Sequence, residues 1–490
     1  MLSKRISRRD LLRLSAVGGS AALLAACQPK IVEVTKIVEK AVEKEKIVKE
    51  TVVVEKSVEK EVTKVVEKEV TKIVEKQVAA PKEPITLIIE HTHPVYFEFG
   101  EKTVDPQFQD KHPGVTVKRE MTPGYTRAFY PKLIAMHVAG TPWDAAELPS
   151  DVGFEYQLYL KGVLKDLTPF VEKDKFDLDK FWPIAIESCK YKGQAMPFLP
   201  ILIDPGEGVM LYNKALLKEA GVEEPNANWT WELEFKEALA KCKKAFQGKL
   251  DIFLWEHLAT NVYGTQTILD AWNTTVLDKE GRTVLIDNEK GTACFKYFYD
   301  LLRADLAQVG GAIPNGAWQA FMAGQVAFCS TFMPVIPWVL GEVKKAGKFE
   351  GGGTLAPKGP KPDGKNGGVL NPHYLGISAD TKNGDMAWEY LKWYTGPEMS
   401  QPLWDKGLVT ALKETWQKPG NLDQWPGYKE SASLLSTIQL SSVPWNFRGA
   451  ELYDGLQQGM DRAWTGKMDF KAALDDTAKS MRKILEQPIS

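Results

Sequence analysis

Three short segments gather side chains able to do chemistry: His91-Thr92-His93, Thr122-Pro123-Gly124-Tyr125 and Pro149-Ser150-Asp151. The H-x-H spacing of the first sets two imidazoles on one side of an extended backbone, which is one start for a metal site. The chain has only six histidines, and no cysteine or carboxylate cluster accompanies this pair, so no metal is expected. HExxH, GxSxG, GxxxxGK[ST] and CxxC sequences are all absent, which removes the common signatures of zinc proteases, α/β-hydrolases, phosphate loops and dithiol oxidoreductases. Two carboxylates placed for glycoside hydrolysis would be paired in space rather than in sequence, so that chemistry stays open here. Four cysteines follow Cys27, at 189, 242, 294 and 329, too widely spaced to indicate pairing; disulfides and free buried thiols both remain open.

Each of the three segments closes a candidate strand. PITLIIEH is a short apolar run, 115–120 is a second and 143–148 a third, with helical stretches expected near 102–111 and 127–139. Strand, helix, strand, helix, strand implies parallel pairing through right-handed crossovers. Ligands of such sheets collect beyond the carboxyl ends of the strands, where the three segments lie. The roughly 400 residues from Pro84 onward are enough for two lobes, and all 15 tryptophans fall there. Removing residues 1–26, with five basic and one acidic side chain, changes the formal charge from −2 to −6, and no basic face for nucleic acid is indicated.

The first 83 residues have a different character. MLSKRISRRDLLRLSAVGGSAALLAAC has a cationic start, an apolar run and small residues before a cysteine, the parts of an export signal. The apolar run is shorter than the roughly 20 residues a membrane span needs. Arg8-Arg9 resembles the twin-arginine motif, with a Sec signal as the alternative. Leu24-Ala25-Ala26-Cys27 resembles a lipobox, so Cys27 is the expected lipidation site and 1–26 the expected signal peptide. From 27 to 83 runs an expected stalk built on the octad EVTKIVEK, free of Gly, Pro and aromatic residues from 30 to 80. Such a chain cannot bury enough apolar surface to offset its ordering entropy. Its apolar positions (Val62, Val65, Val66; Val70, Ile73, Val74) turn by about 80° per octad on a helix, so no straight coiled-coil seam results. Helical or extended, it reads as a tether to a membrane surface; an oligomerising helix is the competing reading.

From Pro84 on, the order of motifs resembles the extracellular solute-binding proteins of ABC importers, in the carbohydrate-type group that includes maltose-binding protein. LIAMHVAGTPWDAAEL, GVLKDLTPFV, YKGQAMPFLPILIDPGEGVMLYNKALLKEAGV and WTWELEFKEALAKCKK come first. WQAFMAGQVAFCST, the Gly367-Gly368 segment with its following helix, and RAWTGKMDFKAALDDTAKSMRKIL complete the series. Two departures stand out: Trp143 intrudes before Asp144, and Phe328 replaces a common Met. The resemblance implies an α/β, periplasmic-binding-protein-like fold over 84–490. Its two α/β lobes are joined by hinge strands, crossed near 196–202, near 328–333 and after the helix containing Trp388. It also implies a small solute held between the lobes, no cofactor, and separate permease and ATPase subunits as partners. A sugar or oligosaccharide suits the abundant aromatics; a polyol phosphate, polyamine or peptide is the alternative, as is a surface-anchored carbohydrate-active enzyme. Sugars need flat rings against their apolar faces and polar groups for their hydroxyls. Tyr125 and Asp151 are the expected contacts in the first lobe, with His91 and His93 behind them. Tyr263, Trp272 and Phe332 are expected in the second, with Trp338 next. His373 and Tyr374, beside Asn371, and Trp445, beside Arg448, complete the set.

Overall fold

The computed structural model describes residues 83–150, 153–247, 251–255, 262–309, 316–438 and 448–487. The expected signal peptide, Cys27 and nearly all of the expected stalk lie outside the described residues, as do Asp151 and Trp445. Among the described residues no helix is long and apolar enough to cross a membrane.

Two five-stranded sheets organise the chain. The first contains β1 (Ile85–His91), β2 (Val115–Met121), β3 (Ala145–Pro149), β4 (Leu199–Asp204) and β10 (Asn371–Ile377) in the order β2-β1-β3-β10-β4. The expected pairing holds: β1 runs parallel to β2 and to β3, while β10 is antiparallel to both β3 and β4. In β1 the alternation of ITLIIEH places Leu87, Ile89 and His91 on one wholly buried face. A helix Pro94–Phe99 follows, with proline in its first turn and the His93 ring accepting from the Val95 N–H. The second sheet contains β5 (Val209–Asn213), β6 (Asp251–Trp255), β7 (Gln308–Val309), β8 (Val326–Thr331) and β9 (Gly351–Leu355), ordered β7-β6-β8-β5-β9.

One apolar core fills the first lobe and continues across the hinge onto one face of the second sheet. The other face of that sheet packs a separate core beneath helices Lys236–Phe246, Glu289–Arg303, Gly449–Trp464 and Phe470–Leu485.

The hinge differs from the expected positions. β4 belongs wholly to the first sheet, so the first crossing falls at 205–208 rather than 196–202. β8 stays inside the second sheet, and the return to the first lies between β9 and β10, not at 328–333. A fully buried, largely apolar segment suits an interior strand as well as a hinge strand, so sequence pattern does not separate them. The third crossing agrees with expectation. Residues 408–412 run along the outer edge of β4, where Ile203 donates to the Val409 carbonyl (2.9 Å) and Ala411 to that of Ile201 (3.0 Å). The chain then reaches β9 through the helix Tyr428–Leu434. At the first crossing Gly206 has φ +76°, and a Cβ there would sit 2.3 Å from the Val369 carbonyl oxygen. Only glycine fits where two crossing segments touch this closely.

Candidate functional site

The carboxyl ends of β1 and β3 and the start of β10 meet at one edge of the first sheet. On the buried face just inside that edge stands Glu147 of β3, fully enclosed. Its Oε1 accepts from His373 Nδ1 of β10 at 2.7 Å, and its Oε2 lies 3.8 Å from His91 Nδ1 of β1. From β2, Arg119 reaches His91 Nε2, the hydroxyl of Tyr390 and, through two nitrogens, the carboxylate of Asp105. Arginine can only donate, so His91 Nε2 must be an acceptor and its proton resides on Nδ1, facing Glu147. In the same way His373 Nδ1 donates to Glu147.

Burial, then the Arg119 charge, lowers the His91 pKa to about 4. Burial would raise the Glu147 carboxyl, yet the hydrogen bond from His373 and the nearby His91 ring outweigh it and hold the group down at about 2. His91 is thus neutral near pH 7, and its Nδ1 faces Glu147 at 3.8 Å, beyond hydrogen-bond reach, as a polar neighbour rather than as a cation. A pH dependence follows. Between about 4 and 6.5 the unfolded chain takes a proton on His91 that the folded protein refuses, so stability falls as pH falls through this window. The slope from this ring is about 1.4 kcal/mol per pH unit. Urea denaturation at stepped pH should show it, and His91→Phe should flatten the curve by that amount. An identical slope in the variant would remove His91 as its source.

Above this network, four rings cluster at the lobe's edge. His93 lies 4.7 Å from Tyr96 and 6.1 Å from Tyr125, and His373 lies 4.6 Å from Tyr96 and 6.2 Å from His93. Burial, then His373, lowers the His93 pKa to about 4 as well. Tyr125 opens the helix Tyr125–Ala139 directly after Gly124 (φ +99°), itself at φ +55°, and is 42% exposed. A non-glycine residue in that region is uncommon, and the turn uses it to start the helix immediately at the sheet edge.

The second lobe offers another cluster. Phe332 follows the end of β8, and Tyr263 stands in the first turn of the helix Val262–Ala271, their rings 6.2 Å apart. Trp318 lies edge-on to Phe332 (6.4 Å) and to Trp338 (6.2 Å), and its indole N–H donates to the Ser330 carbonyl at 3.1 Å. Trp338 is 45% exposed. The Tyr263 hydroxyl donates to the carbonyl of Ser150, at the end of β3 in the first lobe, at 2.5 Å, so the two clusters are on lobes that touch.

The expected residues divide clearly. Tyr125, His93 and His373 come together in the first lobe, and Tyr263, Phe332 and Trp338 in the second. Trp272 does not join them: it is buried among Trp231, Tyr297 and Phe298 inside the second lobe. Tyr374 is buried too, stacked on Phe198 at 4.8 Å. Neighbours on a strand point to opposite faces, so His373 at the site sends Tyr374 into the core. His91 is enclosed and supports the edge from beneath. Asn371 approaches the buried Asp204 carboxylate (3.5 Å) at the hinge, and Arg448 pairs with Glu451. Sequence reasoning missed Glu147, Tyr96 and Trp318. For Glu147 a signal existed, since a lone carboxylate inside the otherwise apolar AAELP strand must find partners. Among the described residues no cluster suits a metal ion, and Cys189, Cys242, Cys294 and Cys329 are free and buried.

A maltotriose-binding protein of Pyrococcus abyssi is 29% identical over 268 residues, which are 53% of this chain and 52% of the relative. The chain thus spans about half the length of the curated relative it matches. Among solved structures, the GacH receptor of Streptomyces glaucescens, seen unliganded and with acarbose, is similar at TM-score 0.68 and 21% identity, over 82% of this chain and 99% of that one. A maltose-bound MalE3 from T. maritima gives 0.68 at 20% identity, over 82% and 100%. At such identities the likeness is one of fold: a periplasmic-binding-protein-like architecture. The sequence profile of the bacterial extracellular solute-binding proteins matches residues 98–401, more than half of the chain, and the protein belongs to that family.

Proposed function

We propose that this protein captures a sugar or oligosaccharide between its two lobes and delivers it, chemically unchanged, to the permease of an ABC importer. The observation that carries this reading is the pair of aromatic clusters on touching lobes, each with a partly exposed ring, Tyr125 in one and Trp338 in the other. Flat rings cover the apolar faces of pyranoses, while the His373 ring and the Asp151 carboxylate would hydrogen-bond to hydroxyls. Names of similar proteins point the same way, with maltotriose, maltose and acarbose among their ligands. Tyr263 and Phe332 line the second lobe's share of the site, and Trp445 stays a candidate from the sequence alone. Solute touching both lobes favours the closed arrangement by its differential affinity. The N-terminal reading completes the picture: export as a twin-arginine substrate, lipid on Cys27, and residues 27–83 as a stalk holding 84–490 away from the membrane.

Thermal shift against sugars, polyols, polyamines and peptides tests the substrate class, because a bound solute raises the melting temperature by mass action. Shifts confined to peptides or polyamines would refute it. With a sugar in hand, Tyr125→Ala is expected to weaken binding about tenfold while leaving the melting temperature of the free protein nearly unchanged. Calorimetric titration of both proteins reads the first quantity, and unaltered affinity would exclude Tyr125 from the site. Unchanged sugar after long incubation, checked by chromatography, separates a receptor from a carbohydrate-cleaving enzyme.

A further inference from the structure

The first lobe and the second are also joined at the surface. Arg127, two residues beyond Tyr125, gives two parallel hydrogen bonds to Asp454 of the second lobe's helix Gly449–Trp464, at 2.9 and 2.7 Å. The side chains are 55% and 44% exposed, so the pair stands at a rim rather than in an interior. Arg127 occupies the first turn of its helix, where the positive end of the macrodipole disfavours a cation and where no acidic residue is present. A charge of this sign does not favour its own helix terminus, while the planar guanidinium matches a carboxylate on the opposite lobe in bidentate fashion. The Tyr263–Ser150 contact bridges the same two lobes independently.

From this geometry we infer that Arg127 and Asp454 form a clasp that sets the closed population of the protein, and so its affinity for solute, without touching the solute. The inference rests on the hinge-closure reading above. A bond that exists only in one of two states shifts the equilibrium by its own strength and no more. For an exposed bidentate pair, that strength corresponds to a shift of about two- to fivefold. Reversal to like charges should give at least as much in the same direction. Raising salt from about 0.05 M to about 0.5 M should erase most of the difference between wild type and variant, since the pair is open to counter-ions.

The test uses the full chain with Cys27→Ser, spin labels at Val138→Cys in the first lobe and Leu233→Cys in the second, and maltotriose as probe. Both label positions are exposed. Arg127→Asp should lengthen the inter-lobe distances, with and without maltotriose, and Asp454→Arg alone should do the same. The double variant should restore the wild-type distribution at low salt. Maltotriose affinity should follow the same order, weaker by at least about two- to fivefold in each single variant and recovered in the double. Identical distance distributions in wild type and Arg127→Asp, or no recovery in the double variant, would overturn the clasp. If wild type binds no sugar while the distances still respond to charge, the clasp stands and the solute reading fails.

Discussion

Replacing Glu147 with alanine is expected to destabilise the folded protein by about 3–5 kcal/mol, the range seen when one partner of a buried polar network is removed. Glu147 is fully enclosed and is the acceptor facing both His373 Nδ1 and His91 Nδ1. Its loss leaves the buried His373 N–H without its partner, at about 1–3 kcal/mol, and removes the negative charge that faces the His91 ring at 3.8 Å beside the Arg119 charge. Glu147→Gln should fall between wild type and alanine, because the amide oxygen still accepts from His373 while its NH₂ meets the His91 N–H donor to donor. Urea midpoints for the three proteins, at pH 7 and unchanged m-value, read the order directly. Equal midpoints for wild type and alanine would mean that the three strands hold this edge together by packing alone. A second consequence is functional: without its partner His373 is free to turn, so solute affinity should fall along with stability.

The strand–helix alternation that builds this edge is legible in the sequence. β1, β2 and β3 each begin and end within two residues of their expected limits, and their parallel pairing follows from the crossover helices between them. Locating the polar segments at the carboxyl ends of those strands likewise requires only the order of elements. What pattern does not resolve is which of two adjacent aromatic or polar residues faces the cleft. His373 and Tyr374 are neighbours, and only the register of β10 against β3, with His373 opposite Pro149, puts the first at the candidate site. Glu147 was overlooked for a related reason. Its significance comes from residues at 91, 119 and 373 that meet only when four strands lie side by side in the order β2-β1-β3-β10. The hinge was misplaced because β4 and β8 are both wholly buried and largely apolar, and hydrophobicity alone does not say which sheet a strand joins.

Trp272 shows the same limit among aromatics, and it gives the second large expected effect. An indole at the end of a helix suits a platform for a sugar ring; the structure instead seats it against Trp231, Tyr297 and Phe298 in the core of the second lobe. Trp272→Ala should therefore cost about 3–5 kcal/mol of stability, the sum of lost apolar burial and an incompletely collapsed cavity. The molecules that remain folded should bind solute with wild-type affinity. Tyr125→Ala should show the reverse pattern, with weaker binding and an almost unchanged melting temperature, because that ring is substantially exposed. Measuring both quantities for both variants separates packing from recognition, since a general loosening of the protein would move the two together. Near-normal stability with a large loss of affinity in Trp272→Ala would return that indole to the binding surface and require the second lobe's ligand face to be redrawn around the helix Val262–Ala271.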